Sequence, residues 1–153
     1  MPLSLISDAS PLIALDRIGL LDVFEPLLTG LLIPPAVAQE VAPTINLPTW
    51  CSVRPLAAAI PESIRRERLG PGETEAIALS IELRHRSLLL DELRGRRIAA
   101  SLGMPVIGTA GLLVRAKREG LVGTIRPHLE ALLKTGFYVS RSVIELALHD
   151  AGE

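Results

Sequence analysis

Short apolar runs alternate with stretches of helical periodicity along the chain, and Gly or Pro stands at many of the junctions. A short apolar run between such breakers is typical of a buried strand. The run 52–56 contains Pro55 and fits only an edge strand, because proline cannot donate a hydrogen bond to a neighbouring strand. The runs that we predict to be strands are 2–7, 31–33, 52–56, 87–90 and 105–107.

Helical periodicity fills the intervals between these strands. Pro11 suits the first turn of the first helix, with Ser10 or Asp8 as its N-cap. A helix that begins at Glu73 follows a Gly-Pro-Gly turn and runs to the basic turn at 85–87. The other helices that the pattern predicts cover 11–18, 20–28, 36–41, 57–69, 92–102, 109–119, 125–135 and 140–149.

Strands that alternate with helices indicate a parallel sheet wrapped by helices, and 153 residues are enough for one such domain. In open sheets of this kind, ligands bind beyond the carboxyl ends of the strands. Asp8 follows the first strand, Asp91 follows the strand 87–90, and Gly108 and Thr109 follow the next one. We therefore expect these residues at one rim of the sheet, with Thr109 as a secondary site candidate.

The composition fits a globular protein, with 48% hydrophobic but only 3% aromatic residues, so aliphatic side chains must build the core. The single cysteine, Cys51, excludes an internal disulfide and fits a reducing cytoplasm. We expect no signal peptide, because Asp8 interrupts the first apolar run, and no membrane span. The net charge of −1 offers no global attraction for nucleic acid, so RNA would need a local basic patch.

Two acids in the first part of the chain have competing structural and functional interpretations. Asp8 lies between a strand and a helix, where an N-cap contributes about 1 kcal/mol. Glu40 shares a helix face with Ala36, Val37 and Val41. A carboxylate in an apolar stripe is unfavourable unless it is paired, binds a metal or reaches water at the rim. Glu40 is therefore the more informative of the two.

Four further acids lie around the strand 87–90. Glu73 is in the first turn of its helix, where the helix dipole favours an acid, but it also heads the stripe that faces the sheet. Glu75 lies on another face of the same helix and stays open as the alternative. Asp91 follows the strand, where the crevice lies. Glu92 begins the next helix and is more simply a first-turn acid.

Asp8, Glu40, Glu73 and Asp91 would repel one another at a common rim and raise one another's pKa values. A divalent cation removes this conflict, and Mg²⁺ and Mn²⁺ prefer oxygen ligands. Such an ion can activate a water and stabilise charge on a phosphate. We therefore predict phosphodiester cleavage that depends on Mg²⁺ or Mn²⁺, with these four acids as catalytic and metal-binding residues.

Basic residues that could hold RNA begin beside Asp91. Arg94, Arg96 and Arg97 are the candidates that we predict. For any one of them a solvated helix face is the simpler explanation. Alternatives on a later helix are Arg115, Lys117 and Arg118.

Several motifs of the chain occur in a familiar order. Ser7-Asp8-Ala9-Ser10 follows the first strand, Glu40 lies in the helix after the second, and Glu73 and Asp91 are 18 positions apart. Longer motifs follow at Gly70-Pro-Gly-Glu-Thr-Glu-Ala-Ile-Ala, Leu90-Asp-Glu-Leu-Arg-Gly-Arg-Arg-Ile-Ala, Val106-Ile-Gly-Thr-Ala-Gly-Leu-Leu and Ala151-Gly-Glu. Over about residues 3–135 the chain resembles PIN-domain proteins, and more narrowly the DUF3368 branch of that group.

This resemblance implies a Rossmann-like three-layer α/β/α sandwich with a short, mainly parallel sheet, in a single domain over residues 1–153. It also implies Mg²⁺- or Mn²⁺-dependent ribonuclease activity, with Asp8, Glu40, Glu73 and Asp91 as the metal-site acids. Ser10 would be a polar neighbour that orients Asp8 or a water. The resemblance further implies that the protein is the toxin of a toxin–antitoxin pair. Its partners would then be RNA and a small antitoxin protein, and we expect a homodimer.

One position departs from the pattern of toxin-type PIN domains. Their third acid is commonly Asp, whereas this chain has Glu73 with Glu75 two residues further on. The third ligand and the number of bound metals therefore stay open.

Two functions of other classes compete with a nuclease. A catalytically silent interaction module would use the apolar segments 20–33 and 143–148 as its surface. A metal-dependent phosphatase of the haloacid-dehalogenase type has a second Asp two residues after the first, where this chain has Ser10, which argues against that function. Dinucleotide, Walker and G-x-S-x-G motifs are absent from the sequence, and its three histidines lack metal-ligand spacing.

Overall fold

The structure, a computed structural model, describes residues 3–153, so Pro2 at the start of the first predicted strand lies outside the described residues. Within that range five short strands form one all-parallel sheet in the order β3-β2-β1-β4-β5. The strand predicted over 52–56 lies at a sheet edge as expected, and it ends before Pro55. The strands are β1 (Leu5–Ser7), β2 (Leu31–Ile33), β3 (Cys51–Val53), β4 (Ser87–Leu89) and β5 (Val106–Ile107).

Helices connect the strands and continue beyond the last one. No helix in the described part of the chain has the length and apolar character needed to cross a bilayer. The helices are α1 (Ala9–Arg17), α2 (Pro35–Val41), α3 (Glu62–Arg65), α4 (Pro71–Glu82), α5 (Leu93–Ser101), α6 (Thr109–Arg118), α7 (Arg126–Lys134) and α8 (Arg141–Asp150).

Strand alternation divides the core into two apolar clusters, one on each face of the sheet. Leu5 and Leu89 belong to the first cluster, together with residues of α1, α2, α6, α7 and α8. Ile6, Leu88 and Leu90 belong to the second, together with residues of α3, α4 and α5. Helices therefore cover both faces, and the predicted α/β/α architecture with a parallel sheet is confirmed.

Proline fixes where two of the helices beside the sheet begin. Pro35 and Pro71 occupy the first turns of α2 and α4, where the missing N–H has no intrahelical partner to lose. Because α4 begins at Pro71, Glu73 lies in its first turn, as the sequence predicts. The local sequence thus sets the position in the helix from which the Glu73 side chain projects.

The helix predicted over 20–28 is wrong. The chain forms a single 3₁₀ turn over Leu21–Phe24, and Leu28 then pairs with Leu3 in a parallel bridge. Most apolar side chains of this segment are buried in the first cluster, Phe24 completely. Residues 20–33 therefore supply core rather than the docking surface that an interaction module would need.

The helix predicted over 57–69 is also wrong, since only Glu62–Arg65 is helical. Glu82 of α4 binds the start of the segment, because its carboxylate accepts hydrogen bonds from the backbone N–H groups of Ala57 and Ala58 at 2.9 to 3.1 Å. Pro61 then sets the N-terminus of the short α3. Tertiary hydrogen bonds thus replace the helical ones that the periodicity predicts.

We expect Glu82→Ala to loosen this segment without unfolding the protein. The loss of its hydrogen bonds to backbone N–H groups should lower the free energy of unfolding by about 1 kcal/mol and speed amide exchange at Ala57 and Ala58. Hydrogen exchange read by NMR measures both effects. Glu130→Ala, which changes an exposed acid of α7, is the control and should change neither.

Candidate functional site

Three neighbouring strands bring their carboxyl ends to one rim of the sheet. β1 pairs with β4, and β4 pairs with β5. Asp8 follows β1 directly, and its backbone N–H donates to the carbonyl of Leu89 at 3.1 Å. Asp91 lies two residues beyond β4, and Thr109 begins α6 just after β5. The rim predicted from the order of the strands is thus present.

Asp8 and Glu40 both lie against the bare backbone of Gly72. A Cβ at Gly72 would stand 2.9 Å from Asp8 Oδ1 and 3.6 Å from Glu40 Oε1. Asp8 is buried and occupies the N-cap position of α1, but its side chain makes no capping hydrogen bond. Glu40 is exposed, while Val37 on the same helix face is buried, so its carboxylate reaches water at the edge of the core. The two carboxylates therefore meet at the start of α4.

Glu73 is buried beside this pair. Its Oε2 lies against Gly95 of α5 and has no hydrogen-bond donor among the described residues. The Glu92 carboxyl lies within hydrogen-bonding reach of the Glu73 carboxyl, so one of the two must carry a proton for that contact to be favourable. Burial, this contact and the charge of Asp8 raise the pKa of Glu73 to about 8.

Asp91 is held by the start of α6. The Thr109 backbone N–H donates to Asp91 Oδ1 at 2.8 Å, and the Thr109 hydroxyl donates to Oδ2 at 2.6 Å. A Cβ at Gly108 would stand 2.8 Å from Arg96 Nη1 and 2.9 Å from Asp91 Oδ1, so the guanidinium lies beside this carboxylate. Burial raises the pKa of Asp91, while Thr109 and Arg96 oppose that rise.

The acids of the rim form one electrostatic cluster. The pKa of Asp8 is raised to about 6, chiefly by burial; the backbone N–H of Ala9 opposes the rise, and the charges of Glu40, Glu92 and Asp91 add to it. Buried carboxylates that share one site cannot all ionise without a compensating cation. Near neutral pH the metal-free site therefore retains protons that carboxylates in water would have lost.

The donor set fits a hard divalent cation, although residues 3–153 contain no three His, Cys, Asp or Glu side chains that are already arranged around one metal position. Thr109 donates hydrogen bonds to both oxygens of Asp91, which orients this carboxylate. The donors are carboxylate oxygens, as Mg²⁺ and Mn²⁺ prefer. The buried Glu73 Oε2 without a donor is an oxygen that a cation would satisfy.

Two secondary candidates lie apart from the acids. Glu75 Oε1 accepts a hydrogen bond from the Ala36 backbone N–H at 2.9 Å, so its carboxylate is bound at the N-terminus of α2. Ser10 is exposed on α1 and lines a groove that also includes Asp91. Within the described part of the chain, no hydrogen bond joins Ser10 to Asp8.

The three arginines predicted for RNA occupy different surroundings. Arg94 donates to the backbone carbonyl of Glu67 and lies 3.8 Å from its carboxylate. Arg96 Nη1 donates to the Leu90 carbonyl at 2.8 Å and is half-buried. Arg97 is exposed and has no recorded hydrogen bond or ion pair within residues 3–153. Among these three arginines of α5, Arg97 is therefore the one whose guanidinium has no hydrogen bond or ion pair within the described residues.

The sequence reasoning missed the positioning roles of three glycines, and it placed Glu92 only among the secondary candidates. Gly72, Gly95 and Gly108 each leave the space that a carboxylate occupies. Gly95 lies inside α5, where a glycine makes the helix less stable than an alanine would by about 1 kcal/mol. A glycine at such a position indicates that another group packs closely against the helix backbone, and this was the available signal in the sequence. Glu92 was assigned to the helix dipole, but it lies at the N-cap of α5 with no capping bond from its side chain.

We expect Gly95→Ala to displace Glu73 while the fold persists. The added Cβ would overlap Glu73 Oε2, which is the movable end of a side chain, so the carboxylate should give way before the backbone does. Isothermal titration calorimetry with Mn²⁺ should then show affinity weakened at least about tenfold, as loss of one ligand interaction predicts.

Gly123→Ala is the matched control, because a Cβ at Gly123 meets nothing within 4 Å. This variant should bind Mn²⁺ as the unchanged chain does. Equal Mn²⁺ affinity in both glycine variants would contradict the role of Gly95.

Glu73 should make the stability of the metal-free protein depend on pH. Its pKa is about 8 in the folded protein against an ordinary value of 4.5, so the folded chain keeps a proton that the unfolded chain releases. The free energy of unfolding should therefore fall as the pH rises from 4.5 towards 8. Glu73→Gln, which cannot ionise, should make this fall in stability less steep. Calorimetry in EDTA measures the free energy of unfolding at each pH. An unchanged pH slope in the variant would contradict the raised pKa of Glu73.

Comparison with known proteins identifies the family. The family model of DUF3368, described as a PIN domain, matches residues 4–153, so the similarity extends beyond residue 135 to the last residue. No curated protein and no solved structure matches the chain significantly. PIN domains are commonly nucleases and generally use divalent metal ions. The chain, with its parallel sheet and its rim of acids, therefore belongs to the DUF3368 family of PIN domains.

Proposed function

We propose that this protein is a metal-dependent endoribonuclease that hydrolyses RNA phosphodiester bonds with Mg²⁺ or Mn²⁺. The observation that carries the proposal is the cluster of carboxylates at the strand rim, in which Asp8 and Glu73 are buried and Glu73 Oε2 has no donor among the described residues. Isolated buried carboxylates are unfavourable, and a fold retains several of them together where a cation binds them. The nuclease character of PIN domains supports the same conclusion.

Asp8, Glu40, Glu73 and Asp91 would hold the metal, and Glu92 is a further carboxylate that interacts with Asp8 and Glu73. When bound, a divalent ion supplies an activated water and stabilises negative charge on the phosphate. Asp8 and Glu73 are the buried members, so their oxygens would be the best shielded from competing water. Glu40 is exposed, which fits a contact made directly or through water.

The chain's own residues set the protonation and direction of these acids. Thr109 donates to both oxygens of Asp91 and Arg96 lies beside them, so this carboxylate is oriented, and both partners oppose the rise in its pKa that burial causes. The contact between Glu73 and Glu92 keeps a proton in the metal-free cluster, and cation binding would release it. Metal affinity should therefore rise with pH.

RNA phosphates would be bound by arginines at the edge of the cluster. Arg97 is exposed on α5, two residues beyond Gly95. The end of α3 and the loop that leads from it into α4 carry three more exposed arginines. The Glu67 carbonyl in this loop accepts a hydrogen bond from Arg94, so the loop lies beside the start of α5. Such a patch supplies locally the positive charge that the whole chain, at −1, lacks. The three arginines are Arg65, Arg66 and Arg68.

The finer biological role follows from the resemblance to toxin-type PIN domains. In this role the protein is the toxin of a toxin–antitoxin pair, acts in the cytoplasm as a single-domain homodimer and is neutralised by a small antitoxin protein. Induced expression of the unchanged chain should then arrest the growth of a bacterial host, whereas expression of Asp8→Asn should not.

Asp8→Asn should abolish RNA cleavage that depends on Mg²⁺ or Mn²⁺. The substitution removes one buried negative charge and relieves repulsion, so the thermal midpoint of the metal-free protein should stay equal or rise. Cleavage of a labelled RNA and calorimetry measure the two effects. Glu62→Gln, which changes an exposed acid of α3, is the control and should retain full cleavage. Undiminished cleavage by Asp8→Asn would overturn the proposed function.

The third acid can be settled by comparing Glu73→Gln with Glu75→Gln. Glu73 lies with the other acids, whereas Glu75 binds the Ala36 N–H, so the first variant should lose at least about a hundredfold in kcat, as for loss of a metal ligand. Glu75→Gln should keep kcat and lose stability by about 1 kcal/mol, since an amide oxygen accepts the same bond without the charge. The reverse ranking of kcat values would assign Glu75 to the site.

A further inference from the structure

The Ala-Gly-Glu motif over residues 151–153 follows α8 and takes no part in the acidic rim. The Glu153 N–H donates to the Leu148 carbonyl at 2.8 Å, and the Gly152 N–H donates to the His149 carbonyl at 3.0 Å. Gly152 has φ +75°, a left-handed conformation that favours glycine. These bonds form a Schellman motif, which turns the chain back at the end of α8 and sets the direction of Glu153.

The Glu153 carboxylate joins α8 to two neighbouring helices. Its Oε2 accepts hydrogen bonds from the Ile125 N–H at 2.7 Å and from Lys117 Nζ at 3.0 Å, and its Oε1 accepts one from the Arg126 N–H at 3.2 Å. The N-terminus of α7 has no capping side chain of its own, so Glu153 supplies that cap. Only 12% of the Glu153 side chain is exposed, so water competes little for these charge-assisted bonds. Glu153 therefore ties α8 to both α6 and α7.

Apolar packing holds α8 less firmly than its neighbour. Only Ala147 and Leu148 of its ten residues are buried, whereas α6, which is equally long, buries six. Leu146 is 60% exposed. An element with few buried apolar contacts opens more easily than the core of a protein does. The polar contacts of Glu153, with the hydrogen bond from Arg118 to the Asp150 carbonyl at 3.3 Å, therefore carry much of the attachment of α8.

The segment that leads into α8 can act as a hinge. Phe137 packs against the first apolar cluster and fixes the start of this segment. The next three N–H groups, of Tyr138, Val139 and Ser140, have no hydrogen-bond acceptor among residues 3–153. Backbone without hydrogen bonds can change its dihedral angles without breaking any. α8 is thus loosely connected at its start and bound by Glu153 at its end.

α8 also forms one wall of a groove that reaches the acidic rim. Asp91 and Glu92 line one part of this groove. The residues of α8 that line it are Val143, Leu146, Ala147 and Asp150. The position of α8 therefore sets how wide the groove is beside the candidate site.

We propose that α8 is a hinged cover of this groove and that Glu153 is the latch that keeps it closed. Opening about the segment 137–140 breaks the three hydrogen bonds of the Glu153 carboxylate and exposes Ala147 and Leu148. The sheet and its acids stay folded while α8 opens. The proposal does not depend on the nuclease function, because α8 carries none of the four acids.

Native-state hydrogen exchange at increasing urea concentration separates the opening of α8 from global unfolding. In the unchanged chain, the amides of α8 should exchange with a lower free energy and a weaker urea dependence than those of β1 and β4, because opening exposes less surface. Glu153→Ala should speed exchange in α8 at least about tenfold, as the loss of several charge-assisted hydrogen bonds predicts.

Two milder variants keep the latch testable if Glu153→Ala does not fold. Glu153→Gln keeps an acceptor oxygen and loses the charge, and Lys117→Met removes only the ion pair, so each should speed exchange in α8 by a smaller factor. Glu145→Gln is the matched control on α8 itself, because Glu145 is exposed and pairs with the exposed Arg141. It should change the exchange of α8 by less than about twofold.

Two results would overturn the proposal. If the amides of α8 follow the same urea dependence as those of β1 and β4, α8 does not open by itself and is not a hinged cover. If α8 opens by itself but no Glu153 variant speeds its exchange, Glu153 is not the latch. Either result leaves the nuclease function standing, and loss of that function through Asp8→Asn would leave the exchange of α8 unchanged.

Discussion

The burial of carboxylates, together with their mutual repulsion, at the rim where β1 and β4 end and α4 begins is the constraint on which the site depends. The pKa of Asp8 is raised to about 6 and that of Glu73 to about 8, so the folded chain holds these groups against their preference for water. The two apolar clusters on the sheet supply the stability that makes this possible, because they fix the strand ends whether or not the acids are neutralised. Without a metal the site is therefore destabilised by its own charges, and under the proposed function a divalent cation would stabilise it.

Backbone contacts at the rim control how closely the acids approach. Gly72 and Gly95 remove the Cβ atoms that would push Asp8 and Glu73 apart from their neighbours. Thr109 acts in the opposite way, because its N–H and hydroxyl hold Asp91 in one orientation. The cluster thus combines two carboxylates packed against glycine backbone with one carboxylate whose direction is set by α6.

The apolar pattern predicted the strands, their parallel arrangement and most of the helices, because burial against a sheet imposes regular spacing. It failed at 20–28 and 57–69, where the spacing was helical and the chain is not. In the first segment the apolar residues fill the core around a single 3₁₀ turn. In the second, Glu82 captures backbone N–H groups from a distant helix. Periodicity reports which residues are buried, but not which tertiary partner their backbone finds.

The sequence by itself determined the fold class and the rim at which Asp8, Asp91 and Thr109 meet. The alternation of strands and helices along the chain, and the residues that follow each strand, can both be read from local sequence. Only the tertiary structure decided that Glu73 joins this rim while Glu75 turns to α2, and that Glu92 contacts Glu73. It also decided that Arg94 and Arg96 bind backbone carbonyls. The physical reason is that these outcomes depend on distances between residues far apart in the sequence, such as the 39 positions between Ala36 and Glu75.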